Sequence, residues 1–114
     1  MERIIKIDGR DVRLKATAST LVRYRNQYGR DLIKDYSELQ KAMAQSVLSG
    51  EAIDYAVMLT HTMARQADPS IPADPWEWVD EFEVFDIREI IPETMMLWTD
   101  SLGVKVEVAE EKKE

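Results

Sequence analysis

Between Glu51 and Gln66 the chain is apolar on nearly every side of a helix: Ile53, Ala56, Val57 and Thr60 fall on one face, and Tyr55, Leu59 and Met63 on another. Such a helix must be wrapped by the rest of the chain, because no broad face of it is suited to water. Its one polar stripe holds Glu51, Asp54, His61 and Arg65, which places His61 in solvent or against a neighbouring side chain. The remaining segments therefore each have to bring one apolar face to this centre.

The patterns on either side meet that demand. Arg3, Ile4, Ile5, Lys6, Ile7 and Asp8 lead to Gly9, and Val12, Leu14 and Ala16 then alternate with Asp11, Arg13 and Lys15; with Asp8-Gly9 or Gly9-Arg10 at the centre, this predicts a tight β-hairpin at the N-terminus. A first helix is expected from Thr17 or Ser19 to Tyr28, stopped by Gly29, with Tyr24 and Tyr28 at the edge of the core and their hydroxyls in water. Leu32, Tyr36, Leu39, Met43 and Val47 recur at helical spacing as far as Ser49-Gly50 and predict a second helix. After the central helix, the proline-dense loop from Asp68 to Pro75 reads as a semi-rigid spacer. A short helix then follows Asp74-Pro75, and a last one carries Ile87, Ile90, Ile91, Thr94, Leu97 and Trp98, with Pro92 kinking or restarting it and Gly103 ending it.

The fold class expected is thus α+β and mostly helical: an N-terminal hairpin followed by about five helices, forming one domain over residues 1–103. Val104, Val106 and Val108 alternate with charges, so 104–108 is a candidate strand that adds to the hairpin. The stretch 104–114 reads as a charged tail, with Ala109 to Glu114 expected to be disordered.

Composition removes several classes of chemistry. There are no cysteines and only one histidine, which leaves no disulfide, no thiolate nucleophile and too few soft ligands for an ordinary zinc site. No glycine-rich phosphate loop, nucleophile elbow, His-Glu-x-x-His or calcium-loop pattern occurs. The expectation is a protein that is not an enzyme and carries no metal or cofactor. No apolar run approaches the length of a membrane span and no leader pattern is visible, so a cytosolic address and no membrane partner are expected.

Charge is distributed unevenly. The net charge is −7, yet residues 1–50 carry ten Lys or Arg against six Asp or Glu, whereas residues 51–114 carry five against sixteen. Opposite halves of this kind attract one another within a monomer, or favour head-to-tail contact between copies, which gives rings or spirals. Arg23, Arg25, Arg30, Lys34 and Lys41 lie among tyrosines, but they occupy the polar faces of amphipathic helices beside a strongly acidic half, so no nucleic-acid partner is expected.

The acidic half is also the aromatic one. From Asp74 to Trp98, large apolar groups and carboxylates are interleaved, with Asp74/Glu77 and Asp86/Glu89 as capping-box-like pairs and Pro75 at a first helical position. Trp76, Trp78, Val79, Phe82 and Phe85 form either the core face of a short helix or, where one or two rings face outward, an anchor with an acidic rim for docking a partner.

The order of these segments carries a resemblance. A short hairpin, a helix bearing Leu-Val-Arg-Tyr-Arg-Asn-Gln-Tyr-Gly-Arg-Asp-Leu (21–32), an apolar middle helix, Trp-Glu-Trp-Val-Asp-Glu-Phe-Glu-Val-Phe-Asp-Ile (76–87) and Ile-Pro-Glu-Thr-Met-Met-Leu-Trp (91–98) together resemble the tail assembly chaperones of long-tailed bacteriophages and of prophages of Gram-positive bacteria. The resemblance spans about residues 2–102 and is strongest at Tyr24–Leu32 and Trp76–Trp98. It implies a protein of the host cytoplasm, absent from the mature virion, that coats the tape-measure protein and keeps it soluble until tail-tube subunits polymerise around it. It also implies a longer frameshifted form that recruits the tail-tube protein, of which this chain would be the short version. The family supplies no catalytic residues. For client contact, Trp76, Trp78, Phe82 and Phe85 form one candidate group, and Met95, Met96 and Trp98 a second, since methionine and aromatics suit an adaptable surface.

The carboxylates of residues 68–93 support a different reading, in which a small acidic regulator masks a basic surface on its partner. Salt separates the two. A charged decoy lets go as ionic strength rises, whereas an apolar client contact persists.

Overall fold

The computed structural model describes residues 1–101, so the candidate strand at 104–108 and the charged tail lie outside the described residues. Within them the order is β1 (Glu2–Ile7), β2 (Arg10–Lys15), α1 (Thr20–Tyr28), α2 (Leu32–Gln45), α3 (Gly50–Ala67), α4 (Pro75–Val79) and α5 (Ile87–Ser101). This is the α+β architecture expected, a hairpin and five helices.

The hairpin turns where the sequence asks it to. Asp8 and Gly9 both take positive φ, 55° and 76°, the pair of left-handed residues that a two-residue turn between antiparallel strands needs. The register pairs Ile7 with Arg10 and Ile5 with Val12. That pairing sends Ile5, Ile7, Val12 and Leu14 to one face, where they are buried, and leaves Ile4, Lys6, Asp11 and Arg13 on the other.

Helix boundaries follow from caps. Gly29 closes α1 in the left-handed region, the Asp31 carboxylate accepts the Ile33 N–H at 3.0 Å to open α2, and Ser49 Oγ accepts the Ala52 N–H at 3.1 Å to open α3. The second helix stops before Val47, earlier than its periodicity suggested. Ser46 turns left-handed at φ 57°, and its N–H and that of Val47 return to the carbonyls of Met43 and Ala42. Pro92 does not restart the last helix, which runs unbroken from Ile87 to Ser101.

Helix α3 is the axis of the domain, packing against β2, α1, α2, α4 and α5. Its Leu59, Met63 and Ala64 meet the inner face of the hairpin together with Tyr24, Leu32, Trp78, Ile90, Leu97 and Trp98. A second apolar cluster, Leu39, Ala52, Ala56 and Ile91, lies where α2, α3 and α5 converge. Buried hydroxyls on the central helices are satisfied locally: Thr60 donates to the Ala56 carbonyl, Thr62 to that of Met58, and Thr94 to those of Ile90 and Ile91.

One carboxylate is taken inside. Asp35, on α2, is 2 % exposed. It accepts a hydrogen bond from Tyr24 Oη at 2.7 Å and a two-pronged contact from Arg30, Nε to Oδ2 at 2.7 Å and Nη2 to Oδ1 at 2.9 Å. Arg30 in turn lies over the Tyr55 ring, 5.0 Å from its centroid, and donates to its hydroxyl. Tyr24 is therefore a core residue with its hydroxyl on a carboxylate, not a core-edge residue with its hydroxyl in water, and burial raises its pKa well above the ordinary phenol value.

These contacts set an order of damage. Tyr24→Phe removes one donor from a buried charge and should cost about 1–2 kcal/mol, while Asp35→Ala strands both partners and should cost about 3 kcal/mol. Urea unfolding of the two variants checks the order, and equal, negligible losses would contradict it.

Candidate partner-binding surface

The seven candidate client-binding side chains fall into three groups. Trp78 and Trp98 are fully enclosed and Phe82 nearly so, all three within the main core. Phe85 and Met95 are half-buried, packed against the first and second clusters respectively. Trp76 and Met96 face outward, at 46 % and 49 % exposure.

Helical geometry explains the split between the two tryptophans of α4. Positions two apart lie on nearly opposite sides of a helix, so only one of Trp76 and Trp78 can face α3. Asp74 caps this short helix by accepting the Trp76 N–H at 2.9 Å. The inward ring, Trp78, meets Phe82 and Phe85 edge-on, with centroids 5.5 and 5.7 Å away, and the His61 ring at 5.8 Å. Trp78, Phe82 and Trp98 are thus structural members of the core in this fold and offer a partner no surface.

His61 takes the second of its two expected places, against a neighbouring side chain. It is wholly buried rather than on a solvated stripe, held between Tyr28 of α1 and the proline-dense loop. Its Nε2 lies 2.7 Å from the Pro72 carbonyl, which can only accept, so Nε2 carries the proton and Nδ1 accepts from Tyr28 Oη–H. Because the Tyr28 hydroxyl is able to accept as well as donate, it is burial that keeps the imidazole neutral near neutral pH. Burial is the main cause pulling its pKa below the ordinary imidazole value of 6.5, and Arg65 adds to the lowering. The loop is consequently fastened rather than a spacer, through His61 to Pro72 and through Gln27 Nε2 to the Ala73 carbonyl at 2.9 Å.

The surface from α4 to the first turn of α5 is acidic. Glu77, Asp80, Glu81, Glu83, Asp86 and Glu89 are all exposed, and Val84 stands among them at 58 % exposure. Of these acids, only Glu81 is in an ion pair among the described residues, with Arg10, whose guanidinium stacks 4.4 Å from the Phe82 centroid. Asp8 accepts the Glu83 N–H at 3.1 Å, tying the hairpin turn to the same segment. On α5 the outward stripe reads Glu89, Pro92, Met96 and Asp100, and Met96 Sδ lies 3.5 Å from Arg3 Nη2 of β1.

Two features here escaped the sequence. A small, mainly apolar crevice of about 230 Å³ is framed by Ala42, Met43, Leu48 and Arg88 beside the left-handed Ser46. A polar concavity of about 390 Å³ lies between α1 and α3. Neither leaves a periodic signal, because each is made by the meeting of separate elements.

No protein-family model, curated protein or solved structure matches the chain.

Two measurements test this placement. Of the three tryptophans, only Trp76 should be reached by acrylamide or iodide, so Trp76→Phe should abolish most fluorescence quenching while Trp98→Phe leaves it in place; equal quenching of all three would contradict the burial. For His61, the unfolded state binds a proton more readily than the folded one, so stability is complete above pH ~6.5 and falls as pH drops from there toward the lowered folded pKa. Thermal unfolding between about pH 7.5 and 5.5 should show that loss, and His61→Phe should flatten it.

Proposed function

We propose that this chain is a tail assembly chaperone of a long-tailed bacteriophage or prophage, binding the tape-measure protein in the host cytoplasm and keeping it soluble until tail-tube subunits assemble around it. The observation that carries the reading is the pairing of outward apolar anchors, Trp76 and Met96, with an exposed acidic surface, on a domain whose segments follow the order of that family. A client with long apolar helical stripes is held by such anchors, while the surrounding carboxylates keep the complex hydrated and repel further copies of it.

The binding residues are accordingly fewer than the aromatic count suggests. Trp76 and Met96 lead, Val84 is a further exposed apolar residue, and Phe85 and Met95 contribute their exposed edges. The other three hold the shape of the platform on which the anchors stand. The tail-tube protein enters through a longer frameshifted form, and copies along one client would form a ring or spiral.

The exposed acids from Glu77 to Glu89 also favour a second reading, a regulator that covers a basic surface. Co-expression with the large helical protein encoded downstream, followed by size-exclusion chromatography with light scattering at high salt, separates the two. The chaperone reading expects co-elution at many copies per client, persisting in salt, and weakened about tenfold by Trp76→Ser or Met96→Ser. A client that is soluble alone and elutes separately would sink it, and a complex that dissolves in salt would favour the regulator.

A further inference from the structure

The concavity between α1 and the C-terminal half of α3 brings two arginines to one hollow in an acidic domain. Its walls are Arg23, Asn26 and Gln27 from α1, and Thr62, Arg65 and Gln66 from α3, with His61 also at its lining. Arg3, Arg10 and Arg30 are matched to carboxylates, of Glu93, Glu81 and Asp35, whereas Arg13, Arg25 and Arg88 form no ion pair among the described residues. Arg23 and Arg65 form no such ion pair among the described residues.

Their donors are also largely uncommitted. Arg23 gives its Nε to Ser19 Oγ at 3.2 Å, and neither of its terminal nitrogens has a protein acceptor within the described residues. Arg65 makes one long contact, Nη2 to the Pro69 carbonyl at 3.5 Å, while its Nε is buried with no hydrogen-bond partner. A guanidinium presents paired N–H groups that match the oxygens of a carboxylate or phosphate, and two of them line this one hollow. The amides suit the rim of such a site. Gln66 is locked between Thr17 and Thr20, and Gln27 is held on the Ala73 carbonyl, so the wall is fixed before any ligand arrives.

We propose that this concavity is an oxyanion-binding site, taking a phosphate or carboxylate group between Arg23 and Arg65. It stands apart from the client-binding reading, because it uses neither Trp76 nor Met96.

The chain's single histidine provides the reporter. His61 is at the lining, neutral, and unique in the sequence, so its ring resonances follow the site without assignment ambiguity. The full chain is titrated near neutral pH with inorganic phosphate and, separately, with citrate, using sodium chloride as the ionic-strength control. Saturable shifts of the His61 ring in the millimolar range or below support the site. Response to phosphate alone assigns a phosphoryl ligand, response to citrate alone a carboxylate ligand, and response to both the shared chemistry. Arg23→Gln and Arg65→Gln should each weaken binding about tenfold or more, Arg65→Lys should recover only part of that loss, and Arg25→Gln, on α1 outside the hollow, should leave binding unchanged. Arg23 is exposed, so its variant reads the site without threatening the fold. Shifts no larger than those from sodium chloride, or binding indifferent to both glutamine variants, would overturn the proposal.

Discussion

A carboxylate removed from water has to be matched on every side, and Asp35 is matched from two other segments of the chain. Tyr24 reaches it from α1, Arg30 from the turn between α1 and α2, and Arg30 carries the contact onward to Tyr55 of α3. Apolar packing alone would let α1 and α2 slide against the central helix, because hydrophobic contact is indifferent to small shifts. The two-pronged Arg30 contact is not indifferent, since its geometry holds at only one relative placement of the turn and the helix. Tyr36 makes the corresponding fastening on the other side of α2, with its hydroxyl 2.7 Å from Thr99 Oγ1 of α5.

With these helices placed, the rest of the platform follows. Tyr28 is carried to His61, His61 to Pro72, and the fastened loop delivers Asp74 and Pro75 to start α4. Trp78 then has to turn inward to fill the space beside His61, Phe82 and Phe85, which leaves Trp76 outside. The exposed anchor is thus a consequence of the buried polar chain, although the two share no contact.

Much of this architecture was legible before any coordinates. The Asp8-Gly9 turn, the near all-round apolarity of α3, the Gly29 stop and the Asp74 cap each have a local physical cause, and the hairpin and the five helices appear where those causes place them. Partners distant in sequence were not legible. Asp35 looks like one more polar residue on an amphipathic helix until Tyr24, eleven positions away, is brought to it, and His61 meets Tyr28 across a separation of 33. Ser46 conceals its left-handed turn because serine carries no strong signal for that conformation, unlike Gly29. The candidate surface was half legible. Spacing alone says that Trp76 and Trp78 point apart, but only the position of α3 decides which is enclosed.

The central claim is that partners meet this domain through the outward anchors of α4 and α5 while its aromatic core stays closed. Hydrogen–deuterium exchange of the chain, alone and with the proposed tape-measure client, tests that claim most directly. The account predicts new protection confined to the segments around Trp76 and Met96, with exchange in α3 and around Trp78 unchanged. Faster exchange at Trp78 and Phe82 on binding would mean that the core opens to receive the client, and would contradict it.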